Sequence, residues 1–470
     1  MSQESHGVAE SCCSVAIWHR RGAETALSFG ANPIGFAFAW STIHIVNRPI
    51  VVTAGLALLL GTLLAWAFRP NLYPPYDEGR AYVMIANGDS TPVYSYYAGR
   101  VFHPLVARAV ANLTHVPIDA RVFVWISAAS LLGLLSLLGV HYSLDYSFAG
   151  GVWLLLFLTP AVVDPYRNYY WHDLFYAALC ASFFLALRAN PWIALPIVFL
   201  LYMTRESTVI LVAALAAIAA VRRQWKLLST VAIIGLASMQ VDSTLVARAL
   251  PNNQGIPVLL LDALKVPYNF VFNVCGLELW INTNAATLEP PIWTAHVPAW
   301  LHLGNIREVG YSGFSWRRPA LTLLTMATAF GVLPLAAIRG VAHGWKRVLH
   351  QRFDLLTAFV YGALMFALTP LVGTAPARYV LYGWPIFWLF GVSALQTGIP
   401  DLRKRIEFVL LSLCVSWIPA VVRLATGPAI QAPQSVSTVT PQGLVMSLML
   451  VIPAYVYGWR VVKPATSTAD

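Results

Sequence analysis

This sequence predicts an all-α, polytopic membrane protein with about twelve transmembrane helices. Three observations predict it. Hydrophobic residues make up 58% of the 470 and charged residues only 11%, with a mean hydropathy of +0.65, well outside the range of soluble globular chains. Apolar runs long enough to cross about 30 Å of hydrocarbon recur along the whole chain. Short basic clusters separate them, so the formal charge of +10 reads as a topology signal rather than a preference for nucleic acid.

The predicted spans lie near 49–68, 121–142, 148–164, 173–188, 191–204, 207–221, 227–249, 319–338, 354–373, 379–396, 406–424 and 441–459. The pair 191–204 and 207–221 also fits a helical hairpin or a broken helix. Residues 1–48 read as a cytoplasmic N-terminal segment, and 49–470 as a single transmembrane domain. The first long apolar run starts at Pro49 and has no small-residue cleavage site after it, so no cleaved signal peptide is expected.

The clusters "VRRQWK" (221–226), "RGVAHGWKRVLHQR" (339–352) and "DLRKR" (401–405) fall on one side if each span crosses once. That side is the expected cytoplasm, with both termini there. The loops 69–120 and 250–318 then lie outside, on the face of a cytoplasmic or inner membrane that looks toward the cell envelope. Five cysteines imply no disulfide framework: Cys12 and Cys13 precede the first span, Cys180 and Cys414 sit in apolar segments, and only Cys275 lies in a long loop.

The outer segment 69–120 carries "PNLYPPYDEGRAYVMIANGD", which places Asp77 and Glu78 just beyond the first span. Tyr82, Ile85 and Ala86 suit a short helix ended by Gly88 and Asp89. A second helix follows from His103, with Pro104 in its first turn and Leu105, Ala109 and Asn112 on one face. With Tyr94, Tyr96, Tyr97 and Phe102 between them, the two helices would form a shelf at headgroup depth. Asp77 has two compatible readings: a helix N-cap, or a general base held by the helix start and partly desolvated by tyrosine and proline. Glu78, one residue on, points elsewhere on a helix and reads as a secondary group.

These residues resemble the membrane glycosyltransferases of the C-type fold (GT-C), which use polyprenyl-phosphate-linked sugars. In that family an acidic residue or pair follows the first transmembrane helix, and two interfacial helices come next. "YDEGRAYVMIANGD" looks like the acidic element, "YYAGRVFHPLVARAVANL" resembles the arginine-then-proline segment, and "YMTRESTVI" (202–210) adds an Arg-Glu pair closing an apolar segment. The resemblance covers the first half of the chain; the second half adds Arg378 with Tyr379. It implies transfer of a sugar from a polyprenyl-phosphate donor to a glycan, lipid or protein acceptor.

Such chemistry needs a base for the acceptor hydroxyl and cations for the departing phosphate. Asp77 and Glu78 are the catalytic candidates. Arg100, Arg167, Arg205 and Arg378 are the candidates for the phosphate, since a guanidinium binds its oxygens as a fork. Arg205 has an alternative as an internal pair with Glu206 or another carboxylate, and Arg378 as a snorkelling residue at a span boundary. "DPYRNYYWHD" (164–173) adds His172 and Asp173 to an aromatic anchoring belt, where a His-Asp pair can also bind a sugar or a metal. No segment has the spacing of a known metal site, so no cofactor is expected and a divalent cation is unsupported.

The aromatic, amide- and proline-rich stretches of 250–318 suit stacking on sugar rings or capping a cavity, and are too short for a separate catalytic domain. Two rivals share parts of this pattern: a polymerase or ligase of lipid-linked glycans, and a transporter using Arg205, Glu206 and Asp242 as coupling sites. A transporter should gather its polar residues near the membrane midplane, a glycan enzyme in one cavity at the outer surface.

Overall fold

In a computed structural model, residues 33–89, 93–249, 258–281, 291–302, 306–343, 352–373, 376–399, 401–426 and 440–462 are described. The chain divides into two units, Met1–Val52 and Thr53–Asp470. What is described of the first is helical backbone from Pro33 onward; Cys12 and Cys13 lie outside the described residues.

Helix α1 (Pro33–Ala67) begins well before the predicted first span, although its spanning part is Pro49–Ala67. Helix α2 (Asp77–Asn87) follows an extended Tyr76, so Tyr76 and not Asp77 holds the N-cap position. It ends at Gly88, whose φ of 90° lets its N–H reach the Ile85 carbonyl. A single turn, α3 (Ser95–Ala98), leads to α4 (Phe102–Thr114) with Pro104 in its first turn. The face of α4 bearing Leu105, Ala109 and Asn112 is the outward one; Ala107 and Ala111 pack inward against Tyr82, Ile85, Phe123 and Tyr170.

Helix α5 (Ala120–Tyr146) is apolar on all sides because more than half of its spanning window is buried. A 3-10 stretch (Ser147–Phe157), α6 (Pro160–Arg167), α7 (Asp173–Ala189), α8 (Pro191–Tyr202), α9 (Thr208–Val221) and α10 (Trp225–Ala247) follow. Asn190 caps α8 by accepting from the Trp192 N–H at 2.9 Å, with Pro191 in the first helical position. Helix α11 (Val258–Asn273) leads into the strands β1 (Leu277–Ile281), β2 (Trp293–His296) and β3 (Glu308–Phe314), paired antiparallel in the order β1-β3-β2. The chain is thus not wholly α: Leu277–Ile281, Trp293–His296 and Glu308–Phe314 form strands.

The remaining elements are α12 (Arg317–Thr328), α13 (Leu333–His343), α14 (Phe353–Val372), α15 (Pro376–Tyr379), a 3-10 turn (Val380–Gly383), a π-helical segment (Pro385–Gly391), α16 (Val392–Gly398), α17 (Leu402–Thr426) and α18 (Pro441–Val462).

Among the described residues, six helices are long and apolar enough to cross a membrane, against the twelve expected; counting α12 with α13 as one bent span makes seven. Of the other predicted segments, 173–188 is one continuous helix of 17 residues, and the rest are helical but short or interrupted. Segment 148–164 breaks at the extended Thr159, 319–338 bends by 73°, and α8 and α9 have 12 and 14 residues. A 12-residue helix covers only about 18 Å of the roughly 30 Å needed. Breaks at these places bring chain ends, and therefore polar groups, into the body of the molecule.

The bend between α12 and α13 turns on Gly331, at φ 58°, where a Cβ would run into the Ser412 backbone of α17. Gly331→Ala should therefore destabilise by at least about 1–2 kcal/mol. Gly55→Ala, in α1 with nothing near its Cβ position, should be neutral or stabilise by about 0.5–1 kcal/mol. Thermal melts of both variants in detergent check the contrast; equal melting temperatures would sink the account of the bend.

Candidate functional site

The polar side chains that the interrupted helices bring inward meet in one place. Glu78 is the second residue of α2, Arg100 lies between α3 and α4, and His172 and Asp173 open α7. Arg205 and Glu206 form the turn between α8 and α9, with the Thr208 N–H closing on the Arg205 carbonyl at 3.1 Å. Arg378 and Tyr379 end α15, and Tyr382 sits one turn later. All of these come from helix ends, where free backbone polarity and charged side chains can share partners.

Arg378 is the hub. Its Nη1 and Nη2 donate to the two Glu78 oxygens at 2.6 and 3.0 Å, and its Nε donates to Asp173 Oδ2 at 2.6 Å. Arg100 bridges two carboxylates: Nη1 donates to Glu78 Oε1 at 3.2 Å, while Nε and Nη2 grip Glu206 at 2.9 and 2.6 Å. Arg205 Nη1 donates to Asp173 Oδ1 at 2.9 Å and to the hydroxyl of Tyr382, which in turn donates to Asp173. Aromatic rings face the cations, with the Arg378 guanidinium 4.4 Å from the Trp171 centroid and that of Arg205 4.3 Å from Tyr382 and 5.1 Å from Tyr379.

His172 links the two halves. Arg205 Nη1, which can only donate, lies 3.1 Å from His172 Nε2, so that nitrogen accepts and the proton sits on Nδ1. Nδ1 is 2.7 Å from the Tyr82 hydroxyl and 3.2 Å from Glu78 Oε1, while Tyr82 donates to the same oxygen at 2.6 Å. Three guanidiniums and three carboxylates leave the cluster neutral when His172 is neutral. Burial by itself would raise the Glu78 pKa, but Arg378 and His172 outweigh it and hold this carboxylate well below its ordinary range. One donor is left over: the buried Nε–H of Arg205 has no hydrogen-bond partner among the described residues.

The structure brings Glu78, Arg100, His172, Asp173, Arg205, Glu206, Arg378 and Tyr379 together. Arg167 stays outside, exposed in the last turn of α6. The side chain of Asp77 lies outside what is described; its backbone opens α2. Glu78, read from sequence as pointing away, is central. Tyr82 and Tyr382 were missed as site residues because tyrosines near a membrane boundary are ordinary and carry no distinguishing signal. Among the described residues no group of three His, Cys, Asp or Glu is arranged to hold a metal ion.

An apolar groove of about 460 Å³ lies beside the cluster, lined by Val106 and Val110 of α4, Trp125 and Gly133 of α5, and Phe175 and Leu179 of α7. Phe175 follows Asp173 by two residues and packs at a tilt of 47° against Phe102 and His103, at 5.6 and 5.3 Å between centroids.

No protein-family model and no curated protein matches the chain. Among solved structures it is similar to the apo oligosaccharyltransferase of Archaeoglobus fulgidus, at 14% identity and a TM-score of 0.45 over 91% of this chain and 57% of that one. It is also similar to the archaeal oligosaccharyltransferase AglB of Archaeoglobus fulgidus in complex with an inhibitory peptide and a dolichol-phosphate, at 15% identity and a TM-score of 0.44, over 91% and 56%. The chain spans a little over half the length of either.

His103 packs edge-on to Tyr82, and its buried Nδ1 has no partner among the described residues. Burial, reinforced by His172, pushes its pKa down to about 3. His172 is likewise held below its ordinary range, chiefly by burial. Both imidazoles are neutral in the fold but protonate in the unfolded chain below about pH 6.5, so the stability tied to them is full above that pH and declines as the pH falls. Glu78, already ionised, adds no slope until the pH drops below the unfolded carboxylate value of about 4.3. His103→Phe should flatten the fall of thermal stability between about pH 6.5 and 5 by up to about 1.4 kcal/mol per pH unit. An unchanged slope would show that His103 is protonated in the fold.

Proposed function

We propose that the chain is an integral membrane glycosyltransferase that moves a sugar from a polyprenyl-phosphate donor to a glycan, lipid or protein acceptor on the extracytoplasmic side. The observation that supports this reading is the buried Nε–H of Arg205, without a partner among the described residues, where three guanidiniums converge. An unmet charged donor in a dry site is costly, and an anionic oxygen satisfies it. The groove along α4, α5 and α7 supplies apolar surface for the polyprenyl chain next to that point.

In this mechanism Arg205 and Arg378 hold the donor phosphate. As the phosphate draws Arg378 away from Glu78, that carboxylate loses its strongest partner, regains basicity and accepts the proton of the acceptor hydroxyl. The hydroxyl oxygen bonds to the anomeric carbon, the bond from that carbon to the phosphate oxygen breaks, and polyprenyl phosphate leaves with the electron pair. Asp77, adjacent in sequence, is the alternative base. We also propose that both termini are cytoplasmic, with 69–120 and 250–318 outside; reporter fusions after Asp89 and after Trp345 should then report opposite sides.

A panel of labelled lipid-linked sugars tests the reaction. Glu78→Gln should lower turnover by about 10²–10⁴ if Glu78 is the base, and Asp77→Asn much less. The reverse order moves the base to Asp77. Arg205→Lys keeps the charge but loses the fork, so donor binding should weaken while the melting temperature stays nearly constant. If activity falls only in step with the folded fraction in every variant, the cluster is a scaffold and the proposal fails.

A further inference from the structure

The small sheet has an apolar face that the described residues leave uncovered. Trp293 pairs with Tyr311 and Leu279 pairs with the same Tyr311, so these side chains share a face; Val309, two residues from Tyr311, joins them. The register shifts between Glu278 and Leu279, and beyond it Leu277 pairs with Phe314. The irregularity therefore re-aims Phe314 onto the face of Leu277 and Leu279. By register the opposite face carries Thr294 and Trp280, both paired with Gly310, and the pair His296–Glu308, 3.2 Å apart. On the apolar face Trp293 and Phe314 are each 61% exposed, and Trp300, in the turn beyond β2, is 83% exposed.

The height of this sheet is fixed by hydrogen bonds to a membrane-spanning helix. Asn273, the last residue of α11, donates to the carbonyls of Pro370 and Gly373 at 2.8 Å each, and Asn269 donates to that of Leu371 at 3.0 Å. These are the terminal carbonyls of α14, which have no helical partners of their own. Strand β1 starts four residues later, within about 14 Å of extended chain. At the other end Ser315 bonds back to the Gly276 carbonyl at 2.8 Å, and the Arg318 guanidinium sits 4.3 Å from the Phe272 ring centroid. The sheet is thus held where α14 leaves the bilayer, and the exposed Phe270 of α11, Val274 just after it and Trp316 before α12 continue its apolar surface toward the lipid.

We infer that the sheet lies apolar face down in the headgroup region of the bilayer, on the side where α14 ends, as a monotopic element beside the charged cluster. Its occupant is the lipid surface. Aromatic residues with polar edges are suited to that depth, and no part of the described chain covers them. The inference does not depend on the proposed transferase activity.

With 17 tryptophans in the chain, intrinsic fluorescence cannot isolate the sheet, so a site-specific probe is needed. The full chain, with its cysteines replaced by serine, carries the fluorophore NBD on Trp293→Cys, Trp300→Cys or Thr294→Cys. Each is reconstituted in nanodiscs of phosphatidylcholine and phosphatidylglycerol, with and without doxyl-labelled lipid. Positions 293 and 300 should emit at shorter wavelength and be quenched by the doxyl lipid, while 294 should be quenched by aqueous iodide. Iodide quenching at all three would place the sheet in water and overturn the inference. Protection of 293 and 300 from both quenchers would overturn it too, by showing that protein covers the face.

Discussion

The clamp of Arg378 on Glu78 and Asp173 is the interaction on which the rest of the molecule depends. One guanidinium uses its fork on a carboxylate 300 residues away in sequence and its Nε on another 205 residues away. It thereby ties α15 to the starts of α2 and α7. Ionised groups in an apolar interior are tolerated only when paired and fully hydrogen-bonded. Forming such a pair is close to break-even, yet removing one partner costs about 3–5 kcal/mol because the other charge is stranded. That asymmetry makes the cluster a strict specification of which helix ends must meet.

The sequence disclosed the members of this cluster more readily than its arrangement. Arg205 and Glu206 stand between apolar stretches, where an ionisable residue must find either a partner or a role, and that constraint is visible without a structure. The partners are not visible, because they come from segments far away along the chain. Glu78 illustrates the limit: one step from Asp77, it was read as pointing elsewhere, and only the positions of Arg378 and Arg100 give its direction a meaning. Arg167 shows the converse. Basic and set among aromatics in the loop that also holds His172, it looks equivalent by composition, but it ends α6 facing outward.

The span count failed for a related reason. Hydropathy registers whether a segment avoids water, and a buried broken helix avoids it as well as a spanning one does. Segments 148–164 and 379–396 are apolar because they are interior, and they take 3-10 and π geometry that a straight span would not need. The sheet escaped notice because strands of four to seven residues within an aromatic loop give too short an alternation to outweigh the reading as irregular chain.

A second ionic cluster explains how the first can stay in register. Arg188, in the last turn of α7, grips Asp145 at 2.8 and 2.7 Å, and Arg352 bridges Asp145 to Asp354 in the first turn of α14. A cation near a helix C-terminus and an anion near an N-terminus are each favoured by the helix dipole. Helix α7 therefore carries Asp173 of the candidate site at one end and Arg188 at the other, about 22 Å apart along the axis. Helix α14 runs the opposite way, from Asp354 toward Arg378. Two antiparallel helices pinned at both ends form a strut whose length is set by backbone hydrogen bonds rather than by side-chain packing. The distance between Asp173 and the loop bearing Arg378 is then insensitive to the looser apolar contacts with surrounding lipid, as a site built from charges on separate helix ends requires.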